Sequence, residues 1–294
     1  MEGFVKILRK MFRNPVSIAG ITLVLLFIAI AIFAPLLAPP AYPWNPYMMP
    51  QSGLSAVPQP PSPQHIFGTT QGQYDIYYGV IWGTRTALKV GIVVIGLALV
   101  IGIFIGTVAA YFGGWVDELL MRITDIFLAF PFFVGVIVVI TIIGPGITNV
   151  MWALVIFYWM TYARLIRGSI LEVKENQYVM AAIALGTPGT RIITRHLLPN
   201  SIYPVIIQAS MDMATIPLTA AALSFLGLGA PVGYADWGQL ASFARNWIVT
   251  PTGGNPFQYW YTIFFPSITI VLYALGWNLL GDTLRDILDP RMLI

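Results

Sequence analysis

Few side chains in this sequence could carry out chemistry, and their spacing rules out most of what they might do together. His65 and His196 lie far apart in the chain, so they cannot form the closely spaced ligand pair of a zinc protease helix. No Gly-Lys dipeptide occurs, which removes the P-loop that would cradle a nucleotide phosphate. No G-x-S-x-G supplies a nucleophile elbow either. Cysteine is absent, so there is neither a thiolate ligand nor a disulfide framework. What remains are two aspartates inside apolar stretches, Asp125 and Asp212. An ionisable group at membrane depth is costly and is read as functional by default. Asp125 follows Arg122 by three residues near the end of its apolar run, which points to a solvated or locally paired group. Asp212 is expected near mid-depth, where it either lines a wet pathway or makes a hydrogen-bonded contact between helices. A proton-coupled secondary carrier would use such a carboxylate. It would usually also show paired repeats with broken helices, and no internal repeat is visible.

The elements that must position these groups are membrane spans. With 57% hydrophobic residues, 9% charged residues and a mean hydropathy of +0.78 over 294 residues, the chain belongs in a bilayer. A helix needs about 20 apolar residues to cross a hydrocarbon core of about 30 Å. The apolar runs predict six spans, at about 16–38, 88–112, 119–143, 148–167, 200–228 and 260–281. The third and fourth share one long run that the Gly-Pro-Gly at 144–146 divides. Placing the N-terminus in the cytoplasm puts twelve of the fifteen Lys and Arg residues inside and leaves only Arg85, Lys89 and Arg245 outside. The outer segments carry the aromatics Trp44, Tyr74, Trp82, Trp237 and Trp260, as interfacial rings prefer. The first apolar segment is longer than the usual signal-peptide core, so it reads as an uncleaved anchor, preceded by an amphipathic "FVKILRKMFRN" along the inner leaflet. In span two, Ala98, Gly102, Gly106 and Ala110 form a small-residue ridge suited to close packing within the bundle. A net charge of +3 in scattered clusters makes nucleic acid an unsuitable partner.

Between spans four and five the chain leaves the membrane. Residues 170–185 read as a helix with Val173, Tyr178, Ala181 and Leu185 roughly on one face. Gly186 fits the left-handed residue that ends a helix. Thr187 and Pro188 then fit the N-cap and first residue of a second short helix, "PGTRIITRHLL", and Pro199 marks the return to the membrane. Two short helices around a tight corner make a compact protrusion, and its alanines and glycine allow another surface to approach closely.

This protrusion resembles the EAA loop of ABC importer permeases, in which E-A-A is followed by three residues, G, nine residues, I, one residue and L-P. Ala181, Ala182, Gly186, Leu198 and Pro199 stand in register, Met180 replaces the Glu, and His196 takes the Ile position, as is usual in the dipeptide/oligopeptide branch. "FAPLLAPP", "GTRTALKVG", "YFGGWVDELLMRITDIFLAFP", "ALSFLGLG" and "LGDTLRDILDPR" are similar to that branch as well, in order along most of the chain. The resemblance implies an all-α membrane protein of the type I ABC importer permease fold, a five-helix core preceded by one N-terminal span. It divides the chain into an N-terminal segment with the first span (1–38), an extracytoplasmic loop (39–86), a permease core (87–284) with a cytoplasmic coupling loop at about 169–199, and a cytoplasmic tail (285–294). The same likeness makes the chain a non-catalytic plasma-membrane subunit with both termini cytoplasmic. It would pair with a second, homologous permease subunit, two cytoplasmic ATPase subunits and an extracytoplasmic solute-binding protein. It binds no cofactor itself, ATP and Mg being held by the ATPases. The loop residues Glu175, Tyr178, Met180, Ala181, Ala182, Gly186, Thr187, Arg191, Arg195, His196, Leu198 and Pro199 are implied as the ATPase contact. With Met180 in place of the acid, that contact rests on apolar packing plus Arg191 or Arg195. Solutes of the branch include dipeptides, oligopeptides, oligosaccharides and nickel chelates, chosen largely by the binding protein.

Overall fold

The computed structural model describes residues 14–249 and 257–288, whose regular secondary structure is helical, with three isolated antiparallel bridges and no strand among them. Most of the amphipathic N-terminal stretch, Arg291 and the end of the tail lie outside the described residues. In chain order the helices are α1 (Pro15–Leu37), α2 (Ile76–Phe112), α3 (Gly114–Ala129), α4 (Phe132–Ile143), α5 (Ile147–Lys174), α6 (Gln177–Ala184), α7 (Gly189–Ile192), α8 (Leu198–Ser201), α9 (Tyr203–Phe225), α10 (Trp237–Val249) and α11 (Trp260–Leu288). Among the described residues, α1, α2, α5, α9 and α11 are long and apolar enough to cross a membrane, and the bent pair α3–α4 makes a sixth candidate span.

Two of the expected spans have a different shape. The third is not one rod: α3 and α4 meet at 87°. Pro131 disfavours helical backbone at the residue before it, and Phe130 is extended, with ψ 137°. The second starts at Ile76, about twelve residues earlier than the apolar run suggests, because Asp75 caps it by accepting from the Tyr78 amide at 2.8 Å. At 1.5 Å per residue its 37 residues reach about 55 Å, well beyond a hydrocarbon core of about 30 Å. The surplus at its N-terminal end is held in a cap.

The bundle closes through glycine. A Cβ on Gly102 would lie 2.6 Å from the Trp159 carbonyl oxygen, and one on Gly106 would lie 2.3 Å from that of Ala163. The ridge on α2 therefore packs against α5 inside the chain, as its spacing suggested. Gly20 and Gly276 do the same where α1 crosses α11. There Thr283 Oγ1 donates to Ser17 Oγ at 3.0 Å, so two polar groups in an apolar crossing satisfy each other.

The cap joins residues 39–75, the start of α2 and α10. Trp82 is almost fully buried and donates its indole N–H to the Ala38 carbonyl at 2.9 Å, while Trp237 donates to Val80 at 3.1 Å. Gln239 serves two loop carbonyls, those of Ala230 and Pro231, and Gln73 donates to the Val57 carbonyl. These amides replace the backbone partners that an irregular segment lacks. Trp44 and Trp260 are exposed, as interfacial rings should be, but Trp82 and Trp237 are structural core.

Candidate coupling loop and the buried carboxylate behind it

The loop begins where α5 ends. Lys174 Nζ donates to the carbonyls of Ala110 and Tyr111 at 3.1 and 2.9 Å, capping the C-terminus of α2 with a cation where the helix dipole favours one. Arg167 grips Asp117 of α3 through two contacts, Nε to Oδ1 at 2.5 Å and Nη2 to Oδ2 at 2.6 Å. Asp125 pairs with Arg164 of α5, and both are more than half exposed; Arg122 reaches Glu118 instead. Asp125 is thus solvated and paired, but across helices rather than with its sequence neighbour.

Beyond Lys174 the helix does not run on to Leu185 as its periodicity suggests. It breaks at Asn176, whose backbone is extended, and restarts as α6. Gly186 has φ +72°, its N–H donates to the Ile183 carbonyl at 2.9 Å, and Thr187 N–H donates to Ala182 at 3.1 Å. That double closure is a Schellman motif, so the expected left-handed terminus is present. Thr187 makes no side-chain cap for the next helix; Pro188 occupies the N-cap position. Nor does Pro199 end the helix. Residues 193–197 form a π-helical turn that leads straight into α8, and the widened turn accommodates a proline that has no N–H to donate. Asn200 Nδ2 donates to the His196 carbonyl at 2.7 Å within the same turn.

Val179, Ile192 and Leu197 are buried and belong to the same apolar core as the bundle, so the loop is packed down onto the spans. The rings of Tyr178 and His196 lie 6.2 Å apart and bring the two helices together. Gly189 sits so close to α2 that a Cβ there would lie 2.2 Å from the Tyr111 hydroxyl. The outward side carries Met180, Ile183 and Leu185, with Leu185 86% exposed. Glu175, Ala181, Gly186, Arg191, Arg195 and Pro199 are exposed too, while Ala182, Thr187, His196 and Leu198 are partly covered. Of the apolar face expected from Val173, Tyr178, Ala181 and Leu185, Val173 is partly covered and the other three are exposed, as are Met180 and Ile183, so apolar groups stand outward around the helix end rather than on one stripe. The break at Asn176 resets the helical phase.

A cavity of about 740 Å³ opens behind the loop, between α5, α9 and α11, with Tyr178, Asn176, Ser169, Ile207, Gln208 and Arg285 on its walls. Gln208 links this space to Asp212, donating to Oδ1 at 2.9 Å. Asp212 is only 2% exposed, and Tyr158 and Tyr162 each donate a hydroxyl to it at 2.7 Å. Within this chain Asp212 is buried between α5 and α9 and makes an interhelical hydrogen-bonded contact. Three donors satisfy a charge that would otherwise be prohibitive in an apolar bundle. Sequence reasoning missed Tyr158 and Tyr162, although their spacing of four residues puts both on one face of α5.

Comparison with known proteins agrees with this layout. The family described as "Binding-protein-dependent transport system inner membrane component" matches residues 77–294, and that described as "N-terminal TM domain of oligopeptide transport permease C" matches residues 4–61. The chain is 38% identical over 284 residues to the dipeptide transport system permease protein DppC of Alkalihalophilus pseudofirmus, covering 97% of this chain and 88% of the relative. It is 36% identical over 290 residues to the glutathione transport system permease protein GsiD of Pectobacterium atrosepticum, covering 97% and 90%. To the oligopeptide transport system permease protein OppC of Bacillus subtilis it is 33% identical over 281 residues, covering 95% and 87%. These likenesses support the permease reading over the proton-coupled carrier, and with a helical bundle of five or six candidate spans they identify the chain as a member of the binding-protein-dependent transport family, a multi-pass permease subunit of the ABC importer kind.

Proposed function

We propose that this chain forms one half of the translocation pathway of an ATP-driven importer for peptides or solutes of similar size. The second half is a homologous permease subunit, and an extracytoplasmic binding protein delivers solute at the cap. Two cytoplasmic ATPase subunits hold the ATP and Mg and perform the hydrolysis, this chain performing none. Both termini and the loop at about 169–199 face the cytoplasm, in keeping with the distribution of Lys and Arg. The peptide class follows from the relatives, whose names specify dipeptide, oligopeptide and glutathione transport.

The observation that carries the coupling role is the outward face of α6. Met180, Ile183 and Leu185 stand exposed on a loop that is otherwise well braced, against Tyr111 through Gly189 and onto α2 through Lys174. A rigid protrusion with an apolar tip and flanking Arg191 and Arg195 suits a cleft in another protein. Co-purification of the chain with its ATPase subunits, with and without residues 175–195, tests the assignment. Association is expected to disappear with the deletion; ATPase that stays bound at the wild-type level rejects the coupling role.

A further inference from the structure

Asp212 ties together the two helices that the loop connects. α5 leads into the loop and α9 leads out of it. At the level of Asp212, which lies on α9, they are joined by the hydroxyls of Tyr158 and Tyr162 on α5; Gln208, one turn away on α9, donates to the same carboxylate from within its own helix. Between that junction and the loop the two helices stand apart around the 740 Å³ cavity, whose walls include Ser169 on α5 and Ile207 on α9. The pair thus forms a frame, closed at one end by the loop and at the other by the hydrogen bonds of Asp212 together with the apolar packing of α5 on α9. A push on the loop reaches the membrane as a common motion only if the carboxylate end holds. With that end open, the empty space between the helices lets them splay and the displacement is lost.

We infer that Asp212 is a positioning residue for energy coupling: its hydrogen bonds to Tyr158 and Tyr162 make α5 and α9 respond to loop movement as one rigid element. The donors are suited to that task. Hydrogen bonds to a charged acceptor are roughly twice as strong as neutral ones, and two tyrosines one turn apart fix both rotation and height of α9 against α5. Thr215 Oγ1 approaches the same carboxylate at 3.5 Å, too far to substitute for them. The inference rests on the importer reading proposed above.

The test uses the complete complex, both permease subunits, the ATPases and the binding protein, in proteoliposomes. Solute moved per ATP hydrolysed is measured for wild type, for Asp212→Ala, and for the nearly isosteric double variant Tyr158→Phe with Tyr162→Phe, which keeps the packing and removes only the donors. The ratio is expected to fall about tenfold for Asp212→Ala and about threefold for the double variant, with ATP hydrolysis within twofold of wild type. Because this chain has no cysteine, Ser169→Cys and Ile207→Cys, assembled with cysteine-free versions of the partner subunits, give a unique spin-label pair across the cavity. Their distance distribution should be narrow in wild type and broad in both variants. An unchanged ratio and an unchanged distribution in the double variant, with only a lower Tm, overturn the inference and leave Asp212 as a structural brace. A wild-type complex whose ATP hydrolysis is not stimulated by the binding protein overturns the importer reading instead.

Discussion

The two ends of α2 are finished in opposite ways. At its N-terminal end the cap turns polar and aromatic groups inward: Trp82 and Trp237 donate to backbone carbonyls, and a Cβ on Gly238 would lie 1.8 Å from the Ala221 carbonyl oxygen. At its C-terminal end the loop turns apolar groups outward, and the space around Gly186 is open, with nothing within 4 Å of where a Cβ would go. The interior of the cap is satisfied within the chain, although Trp44, Leu54 and Val232 stay exposed at its surface, and the exposed apolar groups of the loop suit the docking proposed above. Substitutions in the cap should therefore be read in stability, and substitutions on the loop in association.

The largest effect separating them is expected from Trp82→Ala. Removing a buried indole leaves a cavity and strands the Ala38 carbonyl, at a cost of about 3–5 kcal/mol. Thermal melting in detergent, with ATPase binding measured in parallel below the melting temperature, checks it. A variant that melts like wild type would show that the cap contributes little to the fold.

A smaller effect in the same region comes from pH. Asp236 caps α10, accepting from the Gln239 amide at 3.0 Å, and burial pushes its carboxyl up to about 6, against the opposing hydrogen bonds from Gln239, Ser224 and Gly238. The folded cap then holds a proton more tightly than the unfolded chain, so this group's contribution is fully present below pH about 4 and is lost as pH rises to about 6 and beyond. At about 1.4 kcal/mol per tenfold the loss is at most about 3 kcal/mol. Asn caps helices about as well as Asp. The Tm of wild type relative to Asp236→Asn should therefore fall between pH 4 and 7, and parallel Tm curves would refute the assignment.

How much of each region was legible follows from the range of the forces involved. The loop's Gly186 corner could be read because a left-handed helix terminus is a local event, and its bonds span only six residues. The small-residue ridge on α2 was readable for a similar reason, although its partner on α5 was not. The cap was not legible: Trp82 meets Ala38 and Thr86 meets Ala235, contacts between segments distant in sequence whose tryptophans look the same as interfacial anchors. The π-helical turn before Pro199 escaped notice because proline ordinarily ends a helix, and a widened turn is the uncommon way of keeping one. Asp212 lay between: its cost at depth was readable, but two of its three donors, Tyr158 and Tyr162, come from another helix.

Gly186→Ala moves the comparison to the loop. Nothing obstructs the added methyl, so the penalty is the left-handed backbone alone, about 1–2 kcal/mol. That strain is local. Amide exchange across α6 and the corner should quicken by about five- to thirtyfold while exchange in the buried stretches of α2 and α5 is unchanged. Equal acceleration in the spans would mean that the loop and the bundle unfold as one unit.

The smallest stability change and the clearest separation are expected from Leu185→Ala. The side chain is 86% exposed, so truncating it creates no cavity and should alter stability by less than about 0.5 kcal/mol. An apolar anchor in a partner's cleft is worth about 1–2 kcal/mol, which corresponds to a five- to thirtyfold loss of ATPase affinity. Trp82→Ala should show the reverse pattern, a low Tm with near-normal affinity for the fraction that remains folded. If Leu185→Ala lowers the Tm and leaves binding intact, the tip of α6 packs on its own chain, and the contrast between an inward-packed cap interior and an outward-facing loop fails at a residue that is 86% exposed.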